Sequence, residues 1–66
     1  MIRTFNVHKD ADVETPLDSH GLVGDARRNA RDRSLADPTS VYTVVVDGNA
    51  IGGYRGGTRL GKSDLP

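Results

Sequence analysis

Ser40-Val41-Tyr42-Thr43-Val44-Val45-Val46-Asp47-Gly48-Asn49-Ala50-Ile51-Gly52-Gly53-Tyr54-Arg55 reads as a β-hairpin. Its first arm is β-branched and aromatic, the composition that suits a pleated, half-buried strand. Asp47-Gly48 is a preferred pair for a type I′ turn, because both central residues need positive φ. Asn49-Ala50-Ile51 and Tyr54 form the return arm. Gly52-Gly53 interrupts it, which predicts a bulge, a bend or the close passage of another backbone. Tyr42, Val44 and Val46 alternate with Val41 and Val45, so both faces of the first arm are partly apolar. One helix covers one face of a sheet, and an uncovered apolar face marks protein contact.

Upstream, Met1–His8 alternates with period two, Met1, Arg3, Phe5 and Val7 lying on one side. That predicts a half-buried strand. Lys9–His20 has no periodicity and holds Pro16 and a run of acids; it reads as a loop, with Val13 or Leu17 reaching the core and a second strand left open. Gly21–Ala36 is the helix candidate. Gly21 and Gly24 each disfavour helix interior by up to about 1 kcal/mol relative to Ala, which places the start near Leu22–Asp25. Leu22, Val23, Ala26 and Ala30 then share one stripe, Arg28 can pair with Asp32, and Pro38 ends the helix.

These segments predict an α+β fold: a small three-stranded sheet, made of the N-terminal strand and the C-terminal hairpin, with one helix packed on one face. The domain spans residues 1–55. Residues 56–66 follow as a Gly-rich basic C-terminal tail, mobile when alone in water, whose deletion is expected to leave the fold nearly as stable.

Sixty-six residues with eighteen bulky apolar side chains make one small core. Chains of this size usually lean on disulfides, a metal or a partner surface. Cysteine is absent and there are two histidines, so disulfides and thiolate metal sites are excluded and a partner surface is favoured. Nine basic and nine acidic residues cancel, leaving no net field to steer the chain onto nucleic acid or an anionic membrane. The charges are still segregated: Asp10, Asp12, Glu14 and Asp18 fall early, and Arg55, Arg59 and Lys62 late. That asymmetry suits contact between protein surfaces of opposite sign. No apolar run is long enough to span a bilayer and no signal peptide is visible. The expected address is the cytosol, or a virion if the chain is phage-encoded.

Four short patterns touch on chemistry. Gly56-Gly57-Thr58-Arg59-Leu60-Gly61-Lys62-Ser63 matches the spacing of a phosphate-binding P-loop, which also needs a preceding strand and a helix starting at the lysine. Only Asp64-Leu65-Pro66 follows Ser63, so no nucleotide is expected. Asp10-Ala11-Asp12-Val13-Glu14 opens like a calcium loop but has Thr15 and Gly21 where such a loop needs Gly and Glu. Asp18-Ser19-His20 holds the residue types of a hydrolytic triad, yet three consecutive residues cannot form its hydrogen-bonded chain. Tyr54-Arg55-Gly56-Gly57 is a single RGG unit beside an aromatic. No catalytic residue, cofactor or metal is implied.

The expected function is a non-enzymatic protein–protein interaction module: an accessory or structural subunit of a larger assembly, by size and class of the kind found among phage regulators and minor virion components. Its partner is another protein or a second copy. The candidate contact residues are Tyr42, Val44 and Tyr54 on the sheet, and Arg55, Arg59, Leu60 and Lys62 in the tail, since aromatic and arginine side chains anchor interfaces. The alternative is nucleic-acid binding through Arg27, Arg28, Arg31, Arg55, Arg59 and Lys62, provided the fold brings helix and tail together.

Overall fold

The computed structural model describes residues 3–10, 12 and 14–65. The expected strand start at Met1 and Ile2, and the expected reach of Val13 into the core, lie outside these residues. The chain runs β1 (Phe5–Lys9), β2 (Asp18–His20), α1 (Val23–Ala36), β3 (Tyr42–Val46), β4 (Asn49–Arg55), β5 (Thr58–Leu60) and a 3-10 turn at Lys62–Asp64. The class is α+β with a central hairpin, but the three-stranded expectation is corrected: the sheet has five strands in the order β2-β1-β3-β4-β5, all antiparallel.

Both additional strands have a local cause. Asp47 and Gly48 take φ of 52° and 78°, as a type I′ turn requires, and Gly56 and Gly57 repeat this with 58° and 80°. The second glycine pair therefore makes a second tight hairpin, and the following residues return along β4 as β5. The segment expected to be a tail thus carries the fifth strand. At the other edge, β2 pairs Asp18, Ser19 and His20 with Val7, Asn6 and Phe5. The Asp18 carboxylate ties β2 to the helix, its Oδ2 accepting from Asn29 Nδ2 at 3.0 Å.

The helix begins after Leu22 and ends before Asp37, close to the boundaries that Gly24 and Pro38 impose. It lays Ala26, Ala30 and Ser34 on the sheet, and small residues let the two layers approach closely. Val7, Ala26, Ala30, Tyr42 and Val44 form the core, with Phe5, Ile51 and Tyr54 half-buried against it. Leu22 and Val23, expected on the inner stripe, are instead 66% and 37% exposed, because they precede the turn that touches the sheet. The bulge falls at Ile51: Val44 faces Gly52 while Val45 faces Ala50. The extra residue sends Ile51 to the core side.

The back face of the sheet is not an open apolar patch. His8 and Thr43, opposed across β1 and β3, are 3% and 6% exposed. Gly53 is buried, and a Cβ there would stand 2.6 Å from Leu65 Cδ2, so Leu65 is seated on β4. The 3-10 turn thus closes part of the face that the helix leaves uncovered.

Below the helix C-terminus, Asp37 gathers Tyr42, Thr39 and Lys9. The Tyr42 hydroxyl donates to Oδ2 at 2.9 Å, Thr39 Oγ1 donates to Oδ1 at 3.1 Å, and Lys9 Nζ lies 3.4 Å from Oδ2. The hydrogen bond from Tyr42, followed by that from Ser40, holds the Asp37 carboxyl below its ordinary 3.8. A carboxylate depressed in the folded state contributes stability that is present above the unfolded value and lost as pH falls through the folded one. Asp37→Asn is therefore expected to melt at a lower temperature than the native chain at neutral pH. The gap should narrow as pH drops below 3.8. Circular-dichroism melts at pH steps check this, and a gap independent of pH contradicts it.

Candidate interaction flank

The helix and the β4–β5 hairpin meet along one flank of the sheet. Gly57 N–H donates to Ser34 Oγ at 3.0 Å, and Leu35 Cδ2 lies 2.5 Å from where a Cβ of Gly57 would be. On the opposite side of the helix, Asn29 reaches β2. Counting about 100° per residue around the helix, Arg27 and Arg31 fall on the side of Ser34 and Leu35, toward β4 and β5. Register places Tyr54 and Arg59 directly opposite each other. Alternation puts both on the helix face, since Tyr54 also opposes the core residue Tyr42. Half-buried Tyr54 is thus paired with Arg59 on the sheet, and Arg27 and Arg31 lie on the side of the helix that turns toward the same two strands.

Arg27, Arg31 and Arg59 make no ion pair among the described residues. Four acids are engaged elsewhere: Asp37 holds Lys9, Asp47 holds Arg3, Asp25 holds Arg28, and Asp18 serves β2. Arginines without an acid partner keep their hydrogen-bond donors free for a partner.

The other expected contact residues are dispersed. Tyr42 and Val44 are buried under the helix at 6% and 1% exposure, which leaves them little surface to present. Arg55 and half-buried Leu60 alternate onto the back face, and Lys62 sits in the exposed 3-10 turn. Arg28 points outward beside Asp25 at 3.9 Å. Of the cations expected on helix and tail, Arg27 and Arg31 lie on the helix side toward β4 and β5, and Arg59 lies on the helix face of β5. Leu35, 53% exposed, was not singled out by sequence; its position one helical turn after Arg31 is the signal that finds it.

The residues of the short chemical motifs make the following contacts. The residues with P-loop spacing form a hairpin turn, a strand and a three-residue 3-10 turn, with the Gly57 amide on Ser34 Oγ. Asp12 Oδ1 accepts from the Glu14 and Thr15 amides at 3.0 and 3.2 Å; these two bonds hold its carboxyl below the ordinary value. Asp10 Oδ1 accepts from Val41 N–H at 3.0 Å. Among the described residues no three His, Asp or Glu side chains converge on a metal position. Asp18 Oδ2 and His20 Nε2 approach to 3.3 Å without hydrogen-bond alignment. Ser19 Oγ points to the other face and donates to Asn6 Oδ1 at 2.7 Å, so it stands apart from Asp18 and His20.

Among the described residues no helix is long and apolar enough to cross a membrane. No family model, curated protein or solved structure matches the chain.

Proposed function

We propose that this chain is a non-enzymatic interaction module of a larger assembly, docking an acidic surface of a partner protein on the α1–β4–β5 flank. The observation that carries this reading is Arg59 directly opposite half-buried Tyr54, on the side toward which Arg27 and Arg31 turn, all three arginines being without ion pairs among the described residues. Tyrosine and arginine are the side chains that most often dominate interface energetics. A net charge of zero leaves no overall field, which suits a short-range, complementary protein contact. The proposed setting is the cytosol or a particle assembled there.

The same ring beside Arg59 favours a second reading, single-stranded nucleic acid stacked on Tyr54 with arginines on its phosphates. Salt dependence separates the two. Three phosphate contacts give a slope of about −2 in log K against log salt for a single strand, so affinity should fall about 80-fold between about 25 and 200 mM salt. Titration of a labelled single-stranded RNA and DNA at both salts tests this directly. In the protein reading neither oligonucleotide binds at low salt. A partner recovered from host lysate by the native chain should then be lost with Arg31→Glu/Arg59→Glu, at least about tenfold in affinity. Capture that is indifferent to the charge reversal refutes the flank.

A further inference from the structure

We infer that β2 is a self-association edge, pairing antiparallel with β2 of a second copy of this chain about a two-fold axis through Ser19. This surface lies at the far side of the sheet from the flank above and does not depend on the function proposed for it.

Three independent features converge on this edge. First, β2 is outermost in the sheet, and the Ser19 amide is turned away from β1, since its N–H is bonded to Asp18 Oδ1 at 2.9 Å. Second, among the described residues the exposed large apolar side chains are Leu17 at 43%, Leu22 at 66%, Val23 at 37% and Leu35 at 53%. Three of these four bracket β2 in the chain, and the fourth is on the opposite flank. Third, the strand is complementary to itself. Pairing centred on Ser19 sets Asp18 opposite His20 of the second copy and His20 opposite its Asp18, two acid–imidazole pairs with no like charges opposed.

The other open edge offers the contrast. Centred on Arg59, β5 would set arginine against arginine, a like-charge opposition that disfavours pairing. The charge pattern therefore selects β2 over β5. An axis perpendicular to the sheet keeps both helices on one face and yields a continuous ten-stranded sheet from two five-stranded ones. On pairing, the Ser19 amide exchanges Asp18 Oδ1 for a backbone carbonyl of the second copy. That exchange of one hydrogen bond for another is nearly neutral, so the exposed leucines supply the drive and the dimer is weak, with Kd on the order of 100 µM.

The absence of cysteine makes the test clean. Opposed residues of an antiparallel pair have Cα atoms about 4.5–5.5 Å apart, inside the range of about 4.4–6.8 Å that a disulfide spans. At about 100 µM in a glutathione redox buffer, Ser19→Cys should form a linked dimer at least about tenfold faster than Arg59→Cys on the other edge. Adding Leu22→Asp, at a site too exposed to disturb folding, should bring Ser19→Cys down to the Arg59→Cys rate. In sedimentation, the native chain should pass from monomer to dimer between about 10 µM and 1 mM, and Leu22→Asp should stay monomeric. Equal cross-linking at both edges overturns the proposal. So does a native chain still monomeric at the highest concentration, which would leave β2 open to a strand of another protein.

Discussion

Gly53→Val is expected to abolish the cooperative unfolding transition at room temperature, and Gly53→Ala to lower the melting temperature by about 5–20 °C. A Cβ at Gly53 would meet Leu65 Cδ2 at 2.6 Å, the Tyr42 carbonyl oxygen at 3.0 Å and the Thr43 Cα at 3.5 Å. The first contact can relax by rotation of the leucine. The second cannot, because Tyr42 O belongs to β3 and moves only if the β3–β4 ladder opens. Overpacking of this kind costs about 1–3 kcal/mol, while a single core in a chain this short supplies about 3–5 kcal/mol in all. Valine, with two further methyl groups, exceeds that margin. Gly24→Ala is the control: nothing stands within 4 Å of its Cβ, and the helix gains up to about 1 kcal/mol. Melting by circular dichroism decides. A Gly53→Val chain that melts like the native one would mean that the Tyr42 carbonyl of β3 does not stand as close to Gly53 as 3.0 Å from its Cβ position.

Gly53 also shows where legibility in the sequence ended. Punctuation was readable: the Asp47-Gly48 turn, the helix start past Gly24 and its stop before Pro38 each follow from one residue's backbone preference. The Gly52-Gly53 pair signalled a close approach, but not that Leu65 makes it. Strands β2 and β5 stayed hidden because three residues are too few for a period. Glycines at 56 and 57 read as flexibility when their positive φ in fact closes a turn. The choice of Tyr42 and Val44 as contact residues ran into a deeper limit. Alternation correctly separates Tyr42, Val44 and Val46 from Val41 and Val45, but a run that is apolar on both faces carries no sign of which face the helix takes. The helix took the face of Tyr42. Grouping Arg31 with Arg59 needed the fold, since 28 positions separate them and only the contact of Ser34 and Leu35 with Gly57 brings their elements together.

Removing residues 56–66 is expected to unfold most of the chain, contrary to the expectation that this segment is a dispensable tail. The deletion takes away β5 and its pairing of Leu60, Arg59 and Thr58 with Gly53, Tyr54 and Arg55. It also removes the Gly57–Ser34 hydrogen bond and the half-buried side chains of Leu60 and Leu65. Half-burial of two leucines contributes about 2 kcal/mol, and the bond to Ser34 about 1 kcal/mol more. The sum approaches the whole stability of a core this small, and β4 would be left as an edge with Gly52 and Gly53 uncovered. Loss of partner binding in such a truncation would therefore report unfolding, not a missing contact, which is why the flank has to be tested by charge reversal at Arg31 and Arg59 in a folded chain. Stopping instead after Gly61 removes Leu65 but keeps β5; that chain should fold and lose about 1 kcal/mol, or roughly 4–8 °C in melting temperature. Full truncation melting within about 3 °C of the native chain would show that the second hairpin rests on the first without supporting it.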